Sequence, residues 1–429
     1  MTRMPTPIRT GLFWALVIAA VPAAWLIYRL FEPMLSWSSG WQDLPPRAES
    51  DQHFSGTSDP AWAALAGQAD EALRAARAEL QAPALSAAVL IDDRRVWAAA
   101  TGYADLATAR PVALDSRFRI GSSSKAVNAL AMGVLMEAGR VDIDAPVRRY
   151  LPELPPAYDG VTTRLAISHR AGIPDYGLCL CLPVWEHKNR RHFDGVRPAL
   201  AVFADRPLRF APGTDFAYSS YGANVAGAVL EAAAGRPYGE MVAQTVFEPL
   251  AMQGSRLDVA GAADPQRVGF YETHDGRYKQ ADPVDNSIRY PSGGMLSTPS
   301  DMLALGRAWI EPGRLVNATT LGTLLAPQKL ADGSANPQGY ALGMRVFADK
   351  KLFEGRITTR FFSHHGTAVG STSYFAIYPE YRMVISVMMN KGQDNVDALA
   401  AAANRLAELF IAEQVRRRGQ AVAGVAAEP

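Results

Sequence analysis

Cysteine is scarce in this chain: its 429 residues hold two, Cys179 and Cys181, separated by one leucine. Two adjacent thiols cannot form a framework of several disulfides. Excess charge of either sign is also missing. The 43 Lys and Arg offset 42 Asp and Glu to leave +1, so no bulk field points to a nucleic-acid partner. No internal repeat is visible, which excludes solenoids and arrays. What is present suits a globular protein with a substantial core: 48% of residues are hydrophobic, and Gly and Pro are frequent. The length allows one large catalytic domain or two or three small ones.

One charge-free apolar run, residues 11–28, stands apart at the N-terminus. Its length suggests a transmembrane anchor over 11–31, with residues 1–10 inside and the remainder exported. Arg3 and Arg9 precede it, while Arg29 and Arg47 weaken the charge contrast. A cleaved signal peptide is the rival, with Val21-Pro22-Ala23-Ala24 as a small-residue cleavage region. The apolar run continues past that point through Trp25 and Tyr28, which favours an uncleaved anchor. The expected location is the inner membrane, single-pass, with the catalytic domain in the periplasm. Residues 32–60 read as a tether. Asp59-Pro60 then reads as an N-cap with proline at the first helical position.

A domain over 61–412 is expected to open with a helix over 61–81. Strands are expected at 84–91 and 94–101, then at 340–347, 361–364, 371–378 and 383–389. A long amphipathic helix covers 394–416, and a tail occupies 413–429. The region between, about 126–335, reads as a mainly helical subdomain. The fold class is therefore α+β: an antiparallel sheet flanked by helices, plus that subdomain.

Ser122-Ser123-Ser124-Lys125 opens the long apolar segment that runs to Met136. Residues at i and i+3 share a helix face, so Lys125 reaches Ser122. Ser123 and Ser124 lack a lysine at that spacing. A lysine near the start of a buried helix needs a reason. Desolvation lowers an amine's pKa and lets it take a serine proton. An isolated S-x-x-K is more often an ordinary helix turn, so context decides.

Further motifs follow in order: Tyr218-Ser219-Ser220 opening a small-residue helix, and His364-His365-Gly366-Thr367 before a strand-like run. With them stand Gly102-Tyr103-Ala104-Asp105, Ile167-Ser168-His169-Arg170-Ala171-Gly172, Pro212-Gly213-Thr214 and Gly293-Gly294-Met295. Taken together, the chain resembles the serine β-lactamase and D,D-peptidase superfamily. It is most similar to the class C β-lactamase and esterase branch and to mitochondrial serine β-lactamase-like proteins. The resemblance implies Ser122 as nucleophile, Lys125 as base and Tyr218 as second proton carrier. Cationic neighbours are expected to lower the phenol's pKa. It also implies an oxyanion hole from the backbone N–H groups of Ser122 and Thr367, with Ser220, His364, His365 and Gly366 lining the substrate cleft.

Two departures bear on substrate. Ser220 stands where the family has asparagine. His364-His365-Gly366 stands where it has Lys-Thr-Gly, and a neutral imidazole grips a carboxylate less firmly than a lysine. Ser220 bears on recognition of a substrate amide side chain, and His364 and His365 both argue against an efficient β-lactamase. The expected function is a serine hydrolase acting through an acyl-enzyme on an ester, a D-amino-acid peptide or, less efficiently, a β-lactam. The alternative is a non-catalytic or assembly-forming protein that keeps the fold. The expected partner is a small-molecule or peptide substrate, and no cofactor is expected. Cys179 and Cys181, with His187 and His192 downstream, have tighter spacing than structural zinc sites, so no metal is expected. A strained disulfide and a plain thiol pair remain open.

Overall fold

The computed structural model describes residues 6–35, 40–178, 185–392 and 396–419. The cysteine pair lies outside them. Residues Thr6–Leu35 form helix α1. No helix among the described residues, however, is long and apolar enough to cross a membrane. That overturns the expected single-pass, periplasm-facing placement. The run over 11–28 is diluted by Gly11, Trp14, Pro22, Trp25 and Tyr28 and bounded by Arg9 and Arg29. Its length lies at the short end of the range that spans a bilayer core, and Gly11 and Pro22 lower its apolar content.

The fold is α+β around one large antiparallel sheet. Its strands are β1 (Phe54–Ser58), β2 (Ala84–Ile91), β3 (Arg94–Asp105), β4 (Arg345–Leu352), β5 (Ile357–Ala368), β6 (Ser371–Tyr378) and β7 (Met383–Met389). They lie in the order β4-β5-β6-β7-β2-β3-β1, so the two ends of the chain meet where Met383–Met389 pairs with residues 85–91. Alternation explains why β2 and β7 are apolar except for Ser86 and Ser386 and buried along their whole length. In β2, Leu85, Ala87 and Val89 face one core, and Ala84, Ala88 and Leu90 face the other. Successive side chains point to opposite faces, and here both faces are covered.

One face is covered by α2 (Ala63–Glu79) and α5 (Asp397–Arg417), whose Leu73, Leu406 and Phe410 pack on the sheet. The Asp59 side chain accepts the Ala61 N–H at 2.9 Å, capping a short turn that leads into α2. The other face packs against the helical middle, including α3 (Ser124–Glu137) and α4 (Ser220–Ala234).

Two expectations shift. Phe54–Ser58, read as tether, is an edge strand paired with Trp97–Thr101. Backbone pairing recruits it together with Phe54, which packs against the helix-covered core; the rest of its sequence, Ser-Gly-Thr-Ser, is polar or small. The strand expected at 340–347 begins at Arg345 instead. Gly339 and Gly343 adopt positive φ before it, which bends residues 339–344 into a loop.

Candidate active site

The candidate nucleophile sits on a 3-10 turn, Gly121–Ser123, just ahead of α3. In that geometry i and i+3 eclipse, so the predicted proximity survives although Ser122 precedes the α-helix proper. Lys125 Nζ donates to Ser122 Oγ at 3.0 Å and to the Ser292 carbonyl at 2.8 Å. The three serines separate clearly. Ser123 and Ser124 are fully buried, and Ser123 Oγ lies 3.1 Å from Ser373 Oγ. Ser122 keeps partial exposure.

Strand β5 lies hard against this turn, and two glycines permit it. A Cβ on Gly366 would fall 1.8 Å from the Ile120 carbonyl oxygen. A Cβ on Gly121, which has φ of +49°, would fall 2.8 Å from Thr367 N. The backbone of Thr367 therefore runs beside the turn that carries Ser122.

Lys125 is fully buried, and its partners are neutral oxygens. Among the described residues no carboxylate pairs with it. Burial lowers its pKa from 10.5 to about 8, with Asp175 and Tyr176 opposing that and Arg345 adding to it. An amine in that range is a competent base near neutral pH.

Tyr218 faces the same serine; the Lys125 ammonium lies 5.0 Å from its ring centroid. Here the sequence expectation is reversed. Burial pushes the phenol pKa up, and the hydrogen bond with Ser122 and the charge of Arg345 recover only part of that shift. Tyr218 is thus a neutral phenol. Local charges were visible in the sequence, but the loss of water around the hydroxyl was not.

His364 is fully buried and both its ring nitrogens are used. Nδ1 lies 2.7 Å from the His365 carbonyl oxygen and Nε2 2.9 Å from the Tyr340 hydroxyl. A carbonyl only accepts, so Nδ1 carries the proton and Tyr340 donates to Nε2. Burial holds the ring's pKa well below 6.5. No ring nitrogen of His364 is left to meet a substrate. His365 Nδ1 lies 3.1 Å from Arg345 Nη1, and burial lowers its pKa to about 4, helped by the charges of Arg345 and Lys125. Ser220 is buried, with its N–H donating to Asp175 Oδ1 at 3.0 Å.

Sequence reasoning missed Arg345, Tyr340, Asp175 and Ser292. None belongs to a local motif; strand pairing and loop packing bring them in. No group of three or more His, Cys, Asp or Glu side chains among the described residues could hold a metal ion. His192 instead lies 2.9 Å from Asp285, and His187 3.3 Å from Arg289.

An antiparallel sheet backed by helices, with a buried lysine on a serine hydroxyl at the junction, fits the class of serine hydrolases. The chain belongs to the Beta-lactamase family, whose pattern matches residues 69–410. It is 28% identical over 382 residues to the human (Homo sapiens) serine beta-lactamase-like protein LACTB, mitochondrial, covering 70% of each chain. It is 33% identical over 233 residues to esterase EstB of Burkholderia gladioli, covering 52% of this chain and 57% of the esterase. Among solved structures, the D-amino acid amidase from Ochrobactrum anthropi SV3 superposes with a TM-score of 0.69, covering 82% of this chain and 100% of the amidase. At 20% identity that last likeness concerns the fold alone.

Proposed function

We propose that this hydrolase uses Ser122 as nucleophile, Lys125 as its general base and Tyr218 as a neutral phenol that relays the proton. The observation that carries this reading is the 3.0 Å contact between Ser122 Oγ and a buried lysine lacking a carboxylate partner among the described residues. Neutral Lys125 takes the hydroxyl proton as Oγ attacks the carbonyl carbon. The new C–O bond pushes an electron pair onto the carbonyl oxygen. The backbone N–H groups of Ser122 and Thr367 receive that oxyanion, each donor worth roughly 3 kcal/mol. As the tetrahedral species collapses, the proton passes through Tyr218 to the leaving group and the acyl group stays on Ser122. Water then attacks, with the same residues running in reverse.

For substrate, an ester or a D-amino-acid peptide ranks ahead of a β-lactam. His364 is committed within the protein and His365 is held by Arg345, so neither replaces the family's lysine and hydroxyl directly. The esterase among the relatives points the same way. A non-catalytic, assembly-forming role leaves the burial of Lys125 without a reason.

Intact-mass analysis after reaction with a fluorophosphonate tests the assignment. One adduct on Ser122 is expected, lost in Ser122→Ala with the thermal melt nearly unchanged. An adduct that persists on Ser123 or Ser124 contradicts it.

A further inference from the structure

His169 takes no part in the proton path, yet it is buried against the candidate site. It also holds φ of +63°, in the left-handed region that a residue with a Cβ seldom adopts. Glycine would sit there with less strain, so the histidine side chain has a reason to be present.

Three contacts supply that reason. The Ala217 N–H donates to the His169 carbonyl at 3.0 Å, and the Ser219 N–H donates to His169 Nδ1 at 3.1 Å. The residues on either side of Tyr218 are thus both tied to His169. The His169 ring also packs on the Tyr218 ring, with centroids 4.1 Å apart and planes at 35°. Tyr340 packs against the same imidazole, its centroid 4.4 Å away. Because Nδ1 accepts, the ring proton is on Nε2 and the imidazole is neutral. Burial and the charges of Lys125 and Arg345 hold its pKa well below 6.5, which keeps that acceptor available. Nε2 is itself buried without a hydrogen-bond partner among the described residues. An unsatisfied buried donor is a cost, so a residue chosen only for packing would not be histidine.

We propose that His169 is a positioning residue for Tyr218, tying its backbone on both sides and bracing its ring so that the phenol stays aimed between Ser122 and the leaving group. This rests on the relay assigned to Tyr218 and adds a residue to it. A relay oxygen must meet one atom and then another, and a displacement of about 1 Å can cost roughly a hundredfold in rate.

The test compares two butyrate esters hydrolysed by the full chain. p-Nitrophenolate departs as a stable anion and barely needs the relayed proton, whereas ethoxide must be protonated to leave. Both esters give the same butyryl-enzyme, and kcat/KM reports its formation. His169→Gly suits the left-handed backbone but removes Nδ1 and the ring. Its kcat/KM should fall roughly a hundredfold on ethyl butyrate and less than about tenfold on p-nitrophenyl butyrate. His169→Asn tolerates the same backbone and offers an amide oxygen to the Ser219 N–H, so it should recover part of the ethyl-ester rate. In a Tyr218→Phe background, His169→Gly should add little further loss, because the hydroxyl it positions is already gone. Equal losses on the two esters, or a loss that multiplies with that of Tyr218→Phe, overturn the proposal while leaving the hydrolase intact. If His169→Gly fails to fold, His169→Asn decides by the same two comparisons, with a smaller loss that is still selective for the ethyl ester. If Tyr218→Phe itself slows the two esters equally, the relay falls and the role of His169 with it. Failure of wild type to label on Ser122 or to cleave either ester overturns both readings.

Discussion

Two buried cations, Arg119 and Lys125, lie six positions apart in the chain and are treated in opposite ways. Arg119 Nε meets Asp258 at 2.7 Å, its Nη1 meets the Val369 carbonyl at 2.7 Å, and its guanidinium sits 3.8 Å from the Phe270 ring centroid. Asp258 also accepts from Arg267 at 3.2 Å and Asn286 at 2.6 Å. Lys125, equally removed from water, is given a hydroxyl and a carbonyl and no carboxylate. A buried charge that only holds the fold is paired. One left unpaired has a strong incentive to lose its proton, which a general base requires. Arg345, nearby, is likewise left to neutral acceptors. Among the described residues the cleft thus leaves Lys125 and Arg345 without a directly paired carboxylate, whereas Arg119 has one.

That contrast predicts mutations of opposite sign. Asp258→Ala strands Arg119 without its partner and should cost about 3–5 kcal/mol of stability, read from urea unfolding. A loss below about 1 kcal/mol would remove the distinction between the two cations.

Lys125→Met should act the other way. Removing an unpaired buried ammonium should stabilise the fold at pH 7 by on the order of 3 kcal/mol, the shift from 10.5 to about 8 expressed as free energy. Ester hydrolysis should fall by a factor of roughly a thousand or more, the loss typical of removing a general base that activates a serine. The stabilisation should depend on pH. A lysine with a depressed folded pKa costs stability fully below about pH 8, and that cost fades as pH rises from about 8 to 10.5. The variant's advantage should therefore shrink over the same window. An advantage that stays constant with pH would show that Lys125 is not the group responsible.

The smallest effect is expected at Tyr340→Phe. Losing the hydroxyl leaves the buried His364 Nε2 without its 2.9 Å donor. Stability should drop by roughly 1–2 kcal/mol, again by urea unfolding. Because both ring nitrogens of His364 are engaged inside the protein, hydrolysis of a neutral aryl ester should change little. A large loss of hydrolysis would show that His364 acts on the substrate itself.

The readable part of this molecule is the part written locally. Ser122 and Lys125 are three residues apart, so helix geometry alone brings them together. Residues 383–389 are apolar except for Ser386, and residues 371–378 turn apolar after Ser371-Thr372-Ser373; both strands are buried along their length and occupy the expected bounds. Phe54–Ser58 was missed because an edge strand with a glycine and half-exposed side chains carries no hydrophobic pattern. Arg345 was missed because strand pairing with β5, rather than spacing, sets it beside His365. The direction of the Tyr218 shift was misread because a sequence displays neighbouring charges but not how much water they exclude. The apolar N-terminal run gave a helix, as its composition suggested, but not one that meets the requirement of a membrane span.

The most direct test of an uncharged Lys125 acting as base is the single-turnover rate of Ser122 acylation by a neutral aryl ester as a function of pH. About a tenth of the amine is neutral at pH 7 if its pKa is about 8. The rate should therefore climb roughly tenfold from pH 7 and level off above pH 8 to 9, with one ionisation near 8. A profile flat from pH 6 to 10, or one still rising beyond pH 10, would contradict it.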